Sequence, residues 1–469
     1  MMLGGLWAES PRATGAPEPL GPVRNADGLI LTYYGDDFTG SVDVMEALTA
    51  NGIRTVLFLE VPARDQVLAY PGIGAVGVAG ISRTMAPNEM DDALPSIFDG
   101  LKQLGAPLFH YKICSTFDSS PSIGSVGRAI EVARRIFGER PMPLLVGAPI
   151  LGRYTVFGNL FAKADGVTCR LDRHPTMTTH PVTPMHESDL RINLEQQTNL
   201  PLALIDVLAL AGTPSELESA VDAVVEAGAQ VVLLDVLDDH SEREVGGILD
   251  RFVRHGWSAE SPSPQVVIGS SGVEYALTSH WNCRADTPEA PSRPAITSSQ
   301  TLVVAGSRAP ATEAQITYSL EHGFVSVEVD AVSVTDPARC ADARADVVHR
   351  AVTALATGAH VLVHTPRRSV DIDGGGTALA KALGEIVLRV GLASAVRRLV
   401  VAGGDTSGLV ARSLGIKALE ILWPLTTGAP LCHASSTQPR FDGMEVCLKS
   451  GQIGAADYFV RIANLDSRI

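Results

Sequence analysis

Residues 29–51 read LILTYYGDDFTGSVDVMEALTAN, and the character of the chain changes twice within them. Residues 29–34 are a short apolar, aromatic and β-branched run of strand type. Gly35-Asp36-Asp37-Phe38-Thr39-Gly40 is a turn, and from Val42 to Asn51 the apolar positions recur with helical period, with Thr39 or Ser41 as the expected N-cap. A strand, a Gly/Asp loop and a helix in direct succession form the building unit of a parallel α/β protein.

The unit recurs downstream. Strand-type runs follow at 55–59, 75–81, 144–147, 202–207, 231–236 and 266–268, with helical periodicity at 123–137 and 216–227. The pattern stops after 273–277. Residues 279–300 (SHWNCRADTPEAPSRPAITSSQ) are polar, with three prolines, which is the composition of an inter-domain linker. New strands are then expected at 302–305, 325–329, 361–364 and 399–402. The prediction is two α/β domains, 28–278 and 301–469, with mainly parallel sheets and an active-site cleft between them. Residues 1–27 read as a loose extension, since they lack the basic start and apolar run of a signal peptide.

The chain has 469 residues, 45% hydrophobic and 19% charged, which suits an ordinary globular protein of two or more domains. Its 52 acidic and 37 basic residues give a formal charge of −15, which argues against nucleic-acid backbones and anionic membrane surfaces as partners. Small anions remain open, because local cations and backbone N–H groups can hold them. Cysteines at 114, 169, 283, 340, 432 and 447 show neither CxxC nor finger-type spacing, so a reducing cytoplasm is expected. The uncharged stretches 66–82 and 421–439 are interrupted by Gly, Pro, His and Ser and do not read as membrane spans. A homodimer is compatible with the sequence, in which nothing reports an interface.

Ligands of open parallel sheets collect at the carboxyl ends of strands, where the candidate loops lie. Asp36 and Asp37 are suited to take a proton from a hydroxyl or to hold Mg²⁺, and Thr39 offers a hydrogen bond. The plainer alternative is one Asp capping the helix and the other solvated. In the second loop (112–120, KICSTFDSS), Lys112 suits a carboxylate, and Ser115, Thr116 and Asp118 suit sugar hydroxyls. An exposed lysine beside a Ser/Thr-rich turn is the alternative. Arg153 and His180 sit on long-loop elements placed to fold over the site, and each also reads as structural.

In the second half, 304–312 (VAGSRAPAT) and 401–408 (VAGGDTSG) each follow a strand and precede a helix, and 449–454 (KSGQIG) adds a third glycine turn. Glycine lets backbone N–H groups approach phosphate, and a helix N-terminus favours the negative charge. Three such turns point to a nucleotide. None of the lysines, at 102, 112, 163, 381, 417 and 449, follows a glycine, so the GxxxxGK[ST] loop is absent. Gly374 to Leu379 lacks the third glycine of a dinucleotide fingerprint, and no GxSxG occurs. Asp405-Thr406-Ser407-Gly408 matches an aspartic-protease tetrapeptide, but it appears once, at the start of an apparent helix.

Taken together, Gly-Asp-Asp-Phe-Thr-Gly at 35–40, the Lys112 loop, His180-Pro181-Val182-Thr183-Pro184-Met185, Gly306-Ser307, Gly403-Gly404-Asp405-Thr406 and Lys449-Ser450-Gly451 resemble the four-carbon acid sugar kinases. The resemblance runs from about residue 29 to 465. It implies an N-terminal domain for the acid, a C-terminal domain for ATP, and phosphoryl transfer across the cleft, with Mg²⁺ bridging phosphates. It sets Ser307, Gly403, Gly404, Asp405, Thr406 and Gly451 at the nucleotide and Asp36, Asp37 and Lys112 at the acceptor. Asp37 is then the expected general base, and Asp36 its positioning partner or a metal ligand. Ser115, Thr116 and Asp118, with Thr39, Arg153 and His180, are expected to bind the acid.

The Cys-Ser-Thr-Phe-Asp-Ser form of the second loop resembles the oxo-acid branch, whereas threonate and erythronate kinases typically have Asp-Ser-Thr-Leu-Arg-Gly. Residues 151–159 and 170–175 look closer to kinases of the branched 3-oxo-isoapionate than to those of 3-oxo-tetronates. Gln452 and Ile453 depart from the family's usual Gly-Asn-Phe-Gly. Two readings from other classes stand beside this one, an NAD-dependent dehydrogenase and a non-catalytic sugar-acid-binding protein.

Overall fold

The computed structural model describes residues 21–164, 166–180, 182–257, 263–283, 300–365 and 375–465. Short β-branched and aromatic runs become strands: β1 (Leu31–Gly35), β2 (Thr55–Phe58), β3 (Ala75–Ala79), β4 (Leu108–Lys112) and β5 (Met142–Leu145). The polar, weakly patterned segment after them forms a separate antiparallel sheet of β6 (Arg153–Val156), β7 (Asn159–Ala164) and β8 (Val167–Arg170). The run resumes with β9 (Leu202–Ile205), β10 (Val231–Leu234) and β11 (Gln265–Gly269). In the order β2-β3-β1-β4-β11-β5-β10-β9 these strands are all parallel, and most are buried on both faces, as parallel sheets covered by helices are.

The second half contributes β12 (Thr301–Ala305), β13 (Val325–Glu328), β14 (Val361–His364), β15 (Arg398–Ala402), β16 (Ile416–Trp423), β17 (Leu431–Ser436) and β18 (Met444–Lys449). The order β13-β14-β12-β15-β18 is parallel, and β17 and β16 then continue it in antiparallel sense. The two halves do not have separate sheets. β16 pairs antiparallel with β2, with Ala418 opposite Phe58 and Leu419 opposite Leu57, so fifteen strands form one sheet. The Leu59 N–H donates to Lys417 O at 2.9 Å, Arg54 pairs with Glu420 at 2.7 Å, and Tyr70 meets Ser435 at 3.0 Å across the same seam.

The antiparallel join reverses the parallel strands of the second half relative to those of the first. Sheet twist of about 20–25° per strand accumulates over the six steps from β15 to β1 and turns the reversed strands back. The loops after β1 and β15 come close together, Thr39 Oγ1 lying 3.9 Å from the place of a Cβ on Gly404.

Two expected boundaries shift. Residues 21–27 were assigned to the loose extension, yet Asn25 Nδ2 donates to Leu104 O, and Asp27 takes a two-pronged hydrogen bond from Arg64. At the other end, Ser279 and His280 finish the helix Gly272–His280, and Trp281 Nε1 donates to Asp250, so 279–283 belongs to the first half. Residues 284–299 of the expected linker lie outside the described residues. Among the described residues no helix is long and apolar enough to cross a membrane.

Arg398, on β15, is 0% exposed; it bonds Glu445 Oε2 on β18 at 2.7 Å and the Ile462 carbonyl of the helix Tyr458–Ala463 at 2.9 Å. Arg398→Met leaves Glu445 without its counter-charge and frees that helix. Urea unfolding should show a loss of about 3–5 kcal/mol, partly recovered when Glu445→Met is added.

Candidate functional site

The first loop leaves β1 at Gly35 and enters α1 (Phe38–Ala50). The cap is Asp37, in extended conformation, and not Thr39 or Ser41; its Oδ1 accepts the Gly40 N–H at 2.8 Å. The same Oδ1 lies 2.9 Å from Arg83 Nη2, while its Oδ2 takes no hydrogen bond among the described residues. Asp36 is 3% exposed and is gripped by Arg83 through both oxygens, Nη2 to Oδ1 at 2.7 Å and Nε to Oδ2 at 3.1 Å. Burial raises the Asp36 carboxyl above its usual range, and the Arg83 guanidinium opposes that rise.

Each Asp36 oxygen thus accepts one hydrogen bond from Arg83, an arrangement suited to positioning the guanidinium. Among the described residues no group of three or more His, Cys, Asp or Glu side chains is placed to hold a metal ion. Arg83 itself was not singled out from the sequence. It sits on a 3-10 turn, Ser82–Thr84, and is the first charged residue after the run at 75–81, a signal that could have found it.

Lys112 ends β4, the neighbour of β1, and its carbonyl accepts the Asp36 N–H. Its side chain is buried, with Nζ donating to Ile113 O at 2.9 Å and lying 3.9 Å from Asp43 Oδ2. Gly40 makes this packing feasible, since a Cβ there would stand 2.6 Å from Asp37 Oδ1 and 3.0 Å from Lys112 Nζ. In the following loop Thr116 Oγ1 donates to Asp118 Oδ1 at 2.8 Å and meets Cys114 Sγ at 3.0 Å. Burial, with Asp118 nearby, pushes the Cys114 thiol up to about 11, while the charge of Arg83 pulls it down. Ser115 is half-buried, and its hydroxyl has no partner among the described residues.

Asp36, Asp37 and Thr39 thus follow β1, and Lys112, Ser115, Thr116 and Asp118 end or follow its parallel neighbour β4. Arg153 and His180 are not in hydrogen-bond contact with that group among the described residues. Arg153 starts β6, above the end of β5, where it pairs with Ala148; its Nη1 donates to Leu151 O and Gly152 O, and its buried Nε has no partner. His180 Nδ1 accepts the Thr183 N–H at 3.0 Å and shapes its own loop, and Pro181 lies outside the described residues. The small sheet is pinned by Asp235 at the end of β10, which accepts the N–H groups of Phe157 and Gly158 at the β6–β7 turn. Burial pushes that carboxyl up to about 6.

The glycine turns of the second half converge at the ends of adjacent strands β12, β15 and β18. The N–H groups of Gly306 and Ser307 reach the Ala402 carbonyl, and that of Gly403 reaches the Lys449 carbonyl. Gly403 has φ +137°, a conformation glycine alone adopts readily, and it caps the helix Gly404–Ser413. Thr406 packs on it, with Oγ1 3.1 Å from the place of a Gly403 Cβ, and Ser307 Oγ lies 1.8 Å from the place of a Gly451 Cβ. Thr312 Oγ1 donates to Gly451 O at 2.7 Å. Asp405 stands in the first turn of that helix, but its side chain lies outside the described residues, as does Gly374 of the incomplete dinucleotide fingerprint.

The two clusters meet. Thr39 Oγ1 lies 3.9 Å from the place of a Cβ on Gly404, and α1 packs against the helix Gly404–Ser413. Glu46, one face further along α1, accepts the Gly428 N–H from the β16–β17 connection. Burial pushes its carboxyl up to about 7. That lies above the unfolded value of about 4.3, so neutral Glu46 contributes stability that is complete below about pH 4 and lost as pH rises through 7. Glu46→Gln keeps an acceptor for Gly428 and stays neutral. The fall in unfolding free energy between pH 5 and pH 8 should shrink by on the order of 1–3 kcal/mol in this variant, read by urea titration at each pH.

Residues 31–277 match a family described as a sugar-binding N-terminal domain, and residues 302–459 one described as a nucleotide-binding C-terminal domain. The chain is 44% identical to the 3-oxo-isoapionate kinase of Paraburkholderia graminis, over 94% of this chain and 97% of that one. It is 31% identical to the 3-oxo-tetronate kinase of Methylobacterium radiotolerans, over 93% and 99% of the two chains. A crystal structure from Salmonella typhimurium LT2 shares the fold with TM-score 0.76 at 23% identity, covering 92% of this chain and 98% of that one. Matched in both halves, and in this order, the chain belongs to the four-carbon acid sugar kinase family, in which a sugar-binding N-terminal domain is joined to a nucleotide-binding C-terminal domain.

Proposed function

We propose that this protein is an ATP-dependent kinase that phosphorylates a hydroxyl of a small sugar-derived oxo acid, with 3-oxo-isoapionate as acceptor and its 4-phosphate as product. One observation carries the reading: the loop with two carboxylates and a buried lysine faces three converging glycine turns, with Thr39 against Gly404. The choice of acceptor rests on the relative at 44% identity. A 3-oxo-tetronate is the second reading, supported by the relative at 31%. The six cysteines, all free, suit a reducing cytoplasm.

In the proposed reaction the acceptor hydroxyl attacks the γ-phosphorus, its new O–P bond forms as the bond to the leaving ADP oxygen breaks, and its proton passes to Asp37 Oδ2. Arg83 and the Gly40 N–H hold Asp37 by Oδ1, which leaves Oδ2 for that proton. Asp36 fixes the guanidinium and is a positioning residue. Lys112, with one of its three protons committed to Ile113 O, has others for the acceptor carboxylate. Ser115, Thr116, Asp118 and Thr39 serve the acceptor hydroxyls, and Arg153 and His180 border it. The N–H groups at Ser307, Gly403, Gly404 and Gly451, with Asp405 and Thr406, receive the nucleotide. Mg²⁺ would arrive on the nucleotide phosphates and neutralise their charge, and no residue role here depends on it.

A coupled assay of ADP release with Mg·ATP and a panel of 3-oxo-isoapionate, 3-oxo-tetronates, D-threonate and D-erythronate tests the reading. Highest turnover on 3-oxo-isoapionate is expected; no ADP with any acid overturns the acceptor class. Asp37→Asn should lower kcat roughly 10²–10⁴-fold with nucleotide binding retained, and full activity would exclude Asp37 as base. Gly40→Ala should leave stability within about 1 kcal/mol, since alanine favours the helix, yet lower turnover on the order of 10²-fold by displacing Asp37 and Lys112.

A further inference from the structure

Lys449 is the last residue of β18, and its side chain is 0% exposed. Its ammonium donates one hydrogen bond, to the Ser450 carbonyl at 2.8 Å, and lies 5.8 Å from the ring centroids of both Tyr458 and Phe459. Among the described residues no carboxylate forms an ion pair with it. Other deeply buried cations here have an acid: Arg398 has Glu445 at 2.7 Å, and Lys112 has Asp43 at 3.9 Å. A buried ammonium with no counter-charge is costly, and ring faces offset only part of that cost.

The position of this charge is specific. Lys449 pairs in register with Ala402, its carbonyl accepts the Gly403 N–H and the Ser407 hydroxyl, and the Ser450 carbonyl that holds its ammonium leads into Gly451, which packs on Ser307. The ammonium is thus held at the start of the third turn, while the backbone of the same residue anchors the second. We propose that Lys449 binds the phosphate chain of the nucleotide, acting as a fixed positive charge beneath those turns. The inference rests on the kinase reading and adds to it the charged residue that opens the third turn.

A proton readout separates this role from a structural one. Burial lowers the Lys449 pKa to about 8. Around it, burial holds the thiols of Cys447 on β18 and Cys432 on β17 and the Tyr458 phenol protonated at that pH. Glu46 of α1 acts on Cys447 and Tyr458 and is itself pushed up to about 7, and the Ser307 turn carries Arg308. Burial therefore lets Lys449 lose its proton more readily than an exposed lysine, and a phosphate partner favours the protonated form.

Calorimetry of Mg·ADP binding to the wild-type protein across pH 7–10, in two buffers of different ionisation enthalpy at each pH, should show proton uptake that rises and falls with the titration of one group. Affinity should fall as pH rises above 8, where the phosphates are already ionised. Lys449→Met should abolish the uptake and weaken Mg·ADP and Mg·ATP roughly 10- to 100-fold, with adenosine binding unchanged. Glu46→Gln should retain the uptake. Wild-type binding without proton uptake, or uptake that survives Lys449→Met, overturns the assignment of Lys449 alone. Should that variant fail to fold, the wild-type uptake and its retention in Glu46→Gln decide; loss of uptake in Glu46→Gln assigns the proton to Glu46 and overturns the proposal. If the wild-type protein binds no nucleotide, the kinase reading falls first and this inference with it.

Discussion

The architecture depends on the antiparallel pairing of β2 with β16. Only two residue pairs make up that ladder, Phe58 with Ala418 and Leu57 with Leu419, yet they set the relative sense of every strand in the two halves. A parallel join would send both sets of carboxyl ends in one direction, splayed apart by the twist. The antiparallel join, with twist accumulated across the hairpin strands β16 and β17, turns them towards each other. The approach of Thr39 to Gly404 and the bond from Gly428 to Glu46 follow from that geometry.

Charge at the site is arranged around cations buried in an acidic protein. Arg83 lies between two carboxylates and treats them differently: Asp36 is held by both oxygens and Asp37 by one. The adjacent aspartates, equivalent in sequence, are made inequivalent by how many lone pairs the guanidinium takes. The same principle separates Arg398, paired with Glu445 and fully committed to the fold, from Lys449, whose surroundings offer a carbonyl and two ring faces.

Much of this was legible in the sequence because a parallel α/β unit announces itself locally. A buried strand needs only a short apolar run, and its active end needs only the loop that follows, so 35–40, 112–118 and 403–406 could be located without knowing any long-range contact. Arg83 was not found because it lies on a short turn with no glycine or cap signal, and its importance comes from strand order, which places β3 beside β1. β16 and β17 were missed for a related reason. Ile416–Trp423 carries Lys417 and Glu420 among apolar residues, and its role is set by a partner in the other half of the chain. The small sheet β6–β8 was read as loop because its strands are short and mixed in polarity, and its position depends on the buried Asp235. The pairing of Asp36 with Arg83 is likewise a long-range fact that adjacent carboxylates in a sequence do not reveal.

The seam also has a consequence for biosynthesis. Its residues are far apart in the chain, Arg54 and Glu420 being separated by 366 positions. At about 5–20 residues per second, β2 leaves the ribosome roughly 20–70 s before β16 exists. For the part of that interval after β11 has been made, roughly 7–30 s, Thr55–Phe58, whose Val56 and Leu57 end up 0% exposed, forms the bare edge of an otherwise complete eight-stranded parallel sheet. An unpaired apolar edge of this kind templates association with other strands. The nascent first half is therefore the stage at which this chain most needs protection, and the last part of the second half supplies the strand that ends it.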